Sequence, residues 1–519
     1  MEAKVAGRRT KDTTARGSWW LLRVASVMVV FLSASCGGSG PQGTLTVAFD
    51  RVPTSLDPQH HNEVVGWSLL CNFYDALTRF TPEMRIEPSL AVSWRQVDAT
   101  HIRLTLRKGV TFSSGEPFTA ADVVASFTRA LRDPASRIRH HLVGVQRMIA
   151  EDDATLVIET AAPAPTLINR LAFLFVLPRS QAEQGEVRTP IGTGPYRFLK
   201  READGTVLAE GWQSWRGAPA VPRVRFVFVE DDNRRYARFA GGSLDVAENL
   251  RYDRVGDLQK MSGLRVKLQP TLVVHLLVVN ARAATGVAGR VLADSRARHA
   301  LLLAIDRAGL ANRGLRGNGT VATQFVHPLV FGFDPSLAPA PFDPEAARRL
   351  LAAAGAPDGF AVDLAHGWLP PAYLDGIVQD LARIGVRAKP AQFPLRELLR
   401  RARDGEFPLL LYGRACTTGD ASEILDSSIH SSDTAHGFGL ENFSSFSDPD
   451  TDAMLEAADR ELDSSRRLEL LQRAQRRVLD QLPLLPLTLR SELLGTASRV
   501  DLSARFDDWL WVFGFRWER

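Results

Sequence analysis

The chain has 519 residues, of which 45% are hydrophobic and 24% charged, so a globular protein with more than one lobe is expected. Its formal net charge of +4 suggests nucleic-acid binding, but the whole excess lies in residues 1–35, where six basic residues stand against two acidic ones. The remaining chain is formally neutral, which leaves nucleic-acid or phosphate binding without electrostatic support.

Residues 1–35 have the order of a secretory signal, with a basic segment, an apolar run from Val24 to Leu32 and then small residues. That run is too short to span a bilayer. Cys36 precedes a Gly/Ser linker and resembles the modified cysteine of a bacterial lipobox, although Ser33 stands where leucine is usual. We therefore expect a signal peptide over 1–35 and a lipid-anchored linker over 36–43. A plain signal peptide cut nearby is the alternative.

The body begins with a predicted strand over Thr44–Phe49, followed by a turn at Leu56-Asp57-Pro58 and a predicted helix over Glu63–Leu77. The segment Leu104–Phe127 then predicts a strand, turns and a helix in succession. Its strand has alternating apolar residues, and Thr119, three residues before Asp122, predicts a capping box at the start of the helix.

Further short motifs follow in order along the chain. They are Pro88–Trp94, Ile191–Phe198, Gly242–Val246, Arg298–Arg307, Asp343–Gly355, Phe446–Asp452 and Pro483–Leu487. With the Leu56-Asp57-Pro58 and Leu104–Phe127 segments, they resemble the motifs of the family 5 extracellular solute-binding proteins. These are the oligopeptide, dipeptide and nickel receptors of ABC importers. The resemblance runs from about Leu45 to about Leu489.

The resemblance implies an α/β fold of the two-lobed periplasmic-binding-protein kind (type II-like), with an additional small lobe and a hinged ligand cleft. The 44–519 body is expected to divide into lobe I at about 44–85, 190–280 and 486–519, an extra lobe at about 86–189, and lobe II at about 281–485. In the peptide-binding members, an aspartate of a W-x-x-D-x-x-D-P motif takes the ligand ammonium.

The corresponding region here is the apolar strand and polar turn from Leu409 to Leu425. An ungapped alignment of the motif with this region places Arg414 at the tryptophan, Thr417 at the first aspartate and Asp420 at the second. The amine-binding carboxylate is then missing. Ligand contact is expected from Arg414, Cys416, Thr417, Gly419 and Asp420. Alternatively, Asp420 caps a helix that begins near Ala421.

The segment after Leu56-Asp57-Pro58 lies near the cleft in the family arrangement, so His60 and Trp67 are also candidate ligand residues. Adjacent histidines at 60 and 61 raise a nickel or metal-chelate alternative, but no third metal ligand is identifiable and no metal site is predicted. Trp67 has core packing as its other interpretation. His140-His141 is interpreted as a solvated loop.

Catalytic patterns are missing from the sequence, since there is no G-x-S-x-G elbow, phosphate loop or H-E-x-x-H. Gly317–Ala322 fits a dinucleotide pattern loosely but does not follow a strand. We expect no enzyme and no cofactor. The cysteines Cys71 and Cys416 could form a disulfide in an oxidising compartment or remain buried thiols.

The sequence therefore predicts a monomeric receptor, exported to the periplasm or cell surface and anchored to the membrane through lipid. It is expected to capture a peptide or similar small solute and deliver it to an ABC permease with its ATPase subunits. The alternatives are a solute sensor or periplasmic chaperone without transport, or nickel or metal-chelate binding.

Overall fold

The computed structural model describes residues 43–518, so the predicted signal peptide, nearly all of the linker and Cys36 lie outside the described residues. The strands are β1 (Thr44–Phe49), β2 (Thr78–Phe80), β3 (Ile86–Pro88), β4 (Ala91–Gln96), β5 (His101–Leu106), β6 (Val145–Asp152), β7 (Thr155–Thr160), β8 (Tyr196–Arg201), β9 (Val207–Gly211), β10 (Arg223–Phe228), β11 (Val246–Ala247), β12 (Leu264–Val279), β13 (Gly319–Val321), β14 (Ala361–His366), β15 (Arg387–Gln392), β16 (Leu409–Ala415), β17 (Leu484–Ala497), β18 (Val500–Asp501) and β19 (Arg516–Trp517).

The helices are α1 (Val64–Leu70), α2 (Ala120–Arg132), α3 (Leu167–Arg170), α4 (Arg179–Ala182), α5 (Asp232–Ala240), α6 (Val255–Leu258), α7 (Gly286–Ala293), α8 (Ser295–Ala304), α9 (Arg307–Gly309), α10 (Pro344–Ala353), α11 (Pro371–Ala382), α12 (Leu395–Arg403), α13 (Ser422–Ser428), α14 (Pro449–Ala458) and α15 (Ser464–Gln481). Short 3-10 turns at Arg139–Leu142 and Leu171–Phe173 also carry residues of the site.

One large mixed sheet runs through both lobes in the order β15-β14-β16-β12-β17-β11-β1-β10-β9-β8, with β13 beside β17. In lobe I, β1 pairs in parallel with β10 and β11. In lobe II, β14 pairs in parallel with β15 and β16. The long antiparallel strands β12 and β17 cross from one lobe to the other, and their register shifts between Pro270 and Val274. This confirms the predicted two-lobed α/β fold.

The extra lobe is built on a separate antiparallel sheet, β4-β5-β7-β6, against which α2 packs. Its strand β5 buries Ile102, Leu104 and Leu106, as their alternation predicts. Thr119 and Asp122 form the predicted capping box at the start of α2. The Leu104–Phe127 segment therefore builds the extra lobe.

The helix predicted over Glu63–Leu77 is shorter in the structure and ends at Leu70. Beyond it, the backbone carbonyls of Asn72 and Phe73 accept N–H groups from Tyr196 and Gly194. These carbonyls serve the Ile191–Phe198 segment, so they are not available to continue the helix.

A Gly194→Ala variant is expected to lose about 1–3 kcal/mol of unfolding free energy, because Gly194 lies directly against backbone. A Cβ atom on Gly194 would stand 2.5 Å from the Phe73 carbonyl carbon and 2.8 Å from the Tyr74 nitrogen. Urea denaturation measures the loss. Gly185→Ala is the matched control, since its Cβ would meet nothing within 4 Å; equal losses in the two variants would contradict the close approach.

Candidate functional site

The topology places a crevice where the two lobes meet. The parallel strands β1, β10 and β11 of lobe I and β14, β15 and β16 of lobe II direct their carboxyl ends toward the register shift of β12 and β17. Ligands of open α/β sheets bind outside the carboxyl ends of the strands. The segments that follow β1 and β16 are therefore the first candidates for ligand contact.

The segment after β16 holds Asp420, whose carboxylate is buried in an ion pair with Arg467 of α15. The two oxygens accept from the Arg467 guanidinium at 2.5 and 2.9 Å, and Oδ1 also accepts the N–H of Ser422. Asp420 thus holds the start of α13 and joins two helices. Its predicted ligand contact stays a prediction, because both oxygens already have partners in this structure.

The neighbouring side chains of the turn are also engaged. The Thr417 hydroxyl donates to Glu423 at 3.2 Å, and the Thr418 N–H and hydroxyl donate to the same carboxylate at 2.7 and 2.8 Å. Arg414 is paired with Glu441 at 2.9 Å. Although burial opposes its charge, the Glu441 and Glu423 carboxylates raise the pKa of Arg414.

The two described cysteines, Cys71 and Cys416, are free and buried, so the structure does not join them in a disulfide. The Cys416 thiol donates to the Asp420 carbonyl at 2.9 Å, and the Cys71 thiol donates to the Ser68 carbonyl at 3.2 Å. Burial raises the pKa of both thiols. Cys416 therefore supports the turn as a neutral group.

The turn reaches across to lobe I and the extra lobe. Asn169 at the end of α3 donates to the Thr418 carbonyl at 2.8 Å. Gly419 has a φ of +69° and lies against Phe80, 3.3 Å from where its Cβ would be. A side chain at position 419 would be strained by the backbone and would press on this contact. Gly419 thus lets the lobe II turn meet the opposite wall.

On that opposite wall lies an aromatic cluster, which we define as His61, Trp67, His141 and Phe173. The Trp67 ring packs edge-on against His61, His141 and Phe173 at centroid distances of 5.6, 6.1 and 5.1 Å. His141 stacks on Phe173 at 4.7 Å. Phe80, which contacts Gly419, is also 6.0 Å from Phe173, so the cluster and the turn are neighbours.

The cluster contains buried nitrogen atoms without hydrogen-bond partners among residues 43–518. These are Nε1 of Trp67, Nε2 of His141 and both ring nitrogens of His61. His61, Trp67 and His141 are each more than nine-tenths buried. Because buried polar groups are normally paired, these atoms mark a place for ligand or solvent oxygen atoms.

Both histidines of the cluster are neutral at physiological pH. Burial lowers the pKa of His61 to about 4 and lowers that of His141 well below its usual range. A Cβ on Gly66 would stand 2.3 Å from Nδ1 of His61, so the imidazole packs directly against the Gly66 backbone. The imidazoles therefore act as hydrogen-bonding groups and not as cations.

The structure places His60 differently from its neighbour. Its Nε2 is 2.6 Å from Asp133 at the end of α2, and its Nδ1 is 3.7 Å from Asp57. His60 thus links the segment after β1 to the extra lobe. The interpretation of His140-His141 as a solvated loop is wrong for His141, because its ring closes the aromatic cluster. No periodic pattern of apolar residues marks a single buried histidine in a short 3-10 turn.

No group of three or more His, Cys, Asp or Glu side chains that could hold a metal ion is found over residues 43–518. In the same range, no helix is both long and apolar enough to cross a membrane. The aromatic cluster offers imidazole and indole nitrogens as hydrogen-bonding groups. They suit an organic solute with oxygen acceptors and apolar surface.

Beside the turn lies a buried group of carboxyls whose titration is testable. Burial raises the pKa of Asp459 to about 6, and burial together with the Asp459 and Asp420 carboxylates raises that of Asp426 well above its usual range. Because such a carboxyl binds its proton more tightly in the folded than in the unfolded protein, it contributes stability that is fully present below the unfolded pKa. That contribution is lost as pH rises through the folded value.

We therefore expect wild type to lose about 1–2 kcal/mol of unfolding free energy relative to an Asp459→Asn variant between about pH 5 and about pH 7.5. Urea denaturation of both proteins at the two pH values measures this difference. Asp480→Asn, at an exposed position, is the control and should show no such change. A wild-type protein that gains stability over Asp459→Asn on that pH rise would contradict the assigned direction.

A two-lobed α/β body with a small third lobe, whose strands direct their carboxyl ends at one crevice, defines a substrate-binding protein of the periplasmic-binding type. Comparison with known proteins places it further. The family model for bacterial extracellular solute-binding proteins, family 5, matches residues 85–436. The chain belongs to this family of solute-binding proteins, as the sequence motifs predict.

Among curated relatives, the chain is 28% identical over 448 residues to Heme-binding protein A of Haemophilus influenzae, covering 77% of this chain and 78% of that protein. It is 25% identical over 522 residues to Di/tripeptide-binding protein 2 of Pseudomonas aeruginosa, covering 93% and 96%. Among solved structures, HbpA2 from Haemophilus parasuis matches with a TM-score of 0.78 and 25% identity over 92% of this chain and 100% of that chain.

Proposed function

We propose that this protein is the solute receptor of an ABC importer and captures a peptide or similar small solute in the crevice between its lobes. Membership of the family supports the receptor class. The relative named Di/tripeptide-binding protein 2 supports a peptide-like solute. The partners would be the membrane permease and its ATPase subunits, which receive the solute from a monomeric receptor.

The observation that carries the proposal is the group of unpartnered, buried nitrogens on Trp67, His61 and His141. Their cluster is linked to the Cys416–Asp420 turn through Phe80, which contacts Gly419 and lies 6.0 Å from Phe173. A solute enclosed there would place oxygen atoms at these nitrogens and apolar surface on the rings. Such enclosure by two closing lobes is how this class of fold retains its ligand.

Each predicted site residue would have a distinct role in the pocket. The Trp67 ring and indole N–H would form one wall of the pocket, and the turn at Cys416 and Thr417 would offer backbone groups opposite. Gly419, whose N–H and carbonyl are bonded to Cys416 and Phe331, would allow the close approach of the two walls. Arg414 and Asp420 would hold the turn in place through their ion pairs. His60 would fix the segment that carries His61.

Removal of one nitrogen tests the pocket. Native mass spectrometry of gently purified protein should show a co-purified small solute, whose affinity is then measured by calorimetry. Trp67→Phe keeps an aromatic ring but removes the N–H, and it is expected to weaken binding about tenfold. Trp212→Phe is the matched control, because its indole N–H donates to the Gly194 carbonyl. Equal affinities in wild type and Trp67→Phe would contradict the proposed pocket.

The proposal includes lipid anchorage at Cys36 and the lobe limits expected from the sequence. Mass analysis of the mature N-terminus should show a diacylglyceryl cysteine at position 36. An unmodified start elsewhere would refute the anchor without touching the receptor role. The lobe limits at about 85, 190, 280 and 486 stay part of the proposal.

A further inference from the structure

We infer that this receptor holds its solute through oxygen acceptor groups and does not require a free ammonium on it. The inference rests on the proposed function and concerns the same crevice. The receptor would bind amine-blocked or amine-free solutes, such as acylated peptides and carboxylates, about as tightly as free peptides. The reason is that Glu423 and Asp420 beside the turn and Asp57 after β1 already have hydrogen-bond or ion-pair partners, while several buried nitrogens have none.

The turn from Cys416 to Asp420 offers no free carboxylate. Thr417 stands where the peptide-binding members place the aspartate that takes the ammonium, and its hydroxyl donates to Glu423. Glu423 accepts two further hydrogen bonds from Thr418. Asp420 is neutralised by Arg467.

The carboxylates of the lobe I segment that carries His61 also accept hydrogen bonds from the protein. Glu63, two residues after His61, accepts the N–H and hydroxyl of Thr54 on one oxygen and the N–H of Asn62 on the other. Asp57 is fully buried and paired with Arg129. Asp57 cannot take a ligand ammonium without giving up its ion pair with Arg129.

The rim at the ends of β1 and β11 is similar. Asp50 accepts from Arg51 and from the amide of Asn249. Burial and the Asp50 carboxylate raise the pKa of Glu248 to about 8, so Glu248 is mainly protonated at neutral pH. A protonated carboxyl donates a hydrogen bond to an acceptor and gives no charge to an ammonium.

The buried nitrogens without hydrogen-bond partners, in contrast to the carboxylates, include donors for a ligand oxygen. The Trp67 indole can only donate, and the neutral imidazoles of His61 and His141 each carry one N–H donor and one uncharged acceptor nitrogen. The three N–H donors match carboxylate, carbonyl or amide oxygens. In such a site, an ammonium would have to remain in water or be desolvated without a counter-charge, which is costly.

The test compares a tripeptide library of the form Xaa-Ala-Leu with its Nα-acetylated copy, each offered to full-length protein from which bound solute has been removed. Retained peptides are read by mass spectrometry. We expect acetylation to change the retained amounts by less than about tenfold. A larger loss on acetylation would overturn the inference while leaving the receptor function in place. Retention of neither library would overturn both the peptide receptor and this inference.

A gain of charge gives the complementary test. Thr417→Asp restores the carboxylate at the position that takes the ammonium in peptide-binding members, and it is expected to make free peptides bind at least about tenfold better than acetylated ones. Thr434→Asp, at an exposed lobe II position, is the matched control and should leave the ratio unchanged. A wild type that already shows the ratio of Thr417→Asp would overturn the inference.

Discussion

An Arg467→Ala variant is expected to unfold with a free energy about 3–5 kcal/mol below that of wild type. The Arg467 guanidinium is buried and binds both oxygens of Asp420, and its Nε also donates to the Ala458 carbonyl. Without it, Asp420 would remain as a buried carboxylate close to Asp426 and Asp459, whose own charged forms burial disfavours. Urea denaturation followed by tryptophan fluorescence measures the loss.

Two further variants separate the causes of this loss. Arg296→Ala removes an arginine whose pair with Asp294 is largely exposed, and it should cost less than about 1 kcal/mol. Combining Arg467→Met with Asp420→Asn removes both charges and should recover much of the stability lost by Arg467→Ala alone. If Arg467→Ala behaves like Arg296→Ala, the buried pair does not stabilise this protein.

The same pair decides how an Asp420→Ala variant is interpreted. Loss of solute binding in that variant would follow from a displaced α13 as well as from a lost ligand contact. Arg467→Ala keeps the Asp420 carboxylate but removes the guanidinium that holds it. Comparing the two variants therefore separates a displaced α13 from a lost ligand contact. If solute binding fails equally in both, Asp420 acts by holding the turn.

Much of the fold could be predicted from the sequence because the signals are local. The alternation of Ile102, Leu104 and Leu106 predicts β5, and the spacing of Thr119 and Asp122 predicts the start of α2; both are confirmed. The end of α1 could not be predicted, because it depends on backbone groups of the Ile191–Phe198 segment, more than a hundred residues away.

The site was harder to predict for the same physical reason. Its turn could be found from the residues after an apolar strand, but the partners of its charges are distant in sequence. Arg467 lies 47 residues from Asp420 and His141 lies far from Trp67. No local pattern distinguishes a buried, paired aspartate from one that awaits a ligand. Only the packing of α15 and the extra lobe shows the difference.

The second large loss of unfolding free energy is expected on substitution of Asp57, the aspartate of the Leu56-Asp57-Pro58 motif. Its fully buried carboxylate accepts from the Arg129 guanidinium at 2.5 and 3.1 Å and from the backbone N–H groups of Gln59 and Val187, both at 2.9 Å. It therefore ties the segment after β1 to α2 and to the chain that leaves the extra lobe. The motif has a structural role that its spacing does not reveal.

An Asp57→Ala variant is expected to lose about 3–5 kcal/mol of unfolding free energy, because it leaves the buried Arg129 with only the more distant Asp133, at 3.8 Å, as a counter-charge and two N–H groups without an acceptor. Asp253→Ala removes one partner of an exposed ion pair with Arg251 and should cost less than about 1 kcal/mol. The double variant Asp57→Leu with Arg129→Met should recover the ionic part of the loss but not the part due to Gln59 and Val187. Full recovery would mean that those backbone bonds contribute nothing, and no loss in Asp57→Ala would contradict the buried pair itself.

Because Asp57 also positions the segment that carries His61, the folded fraction of Asp57→Ala should bind the co-purified solute more weakly than Asp253→Ala does.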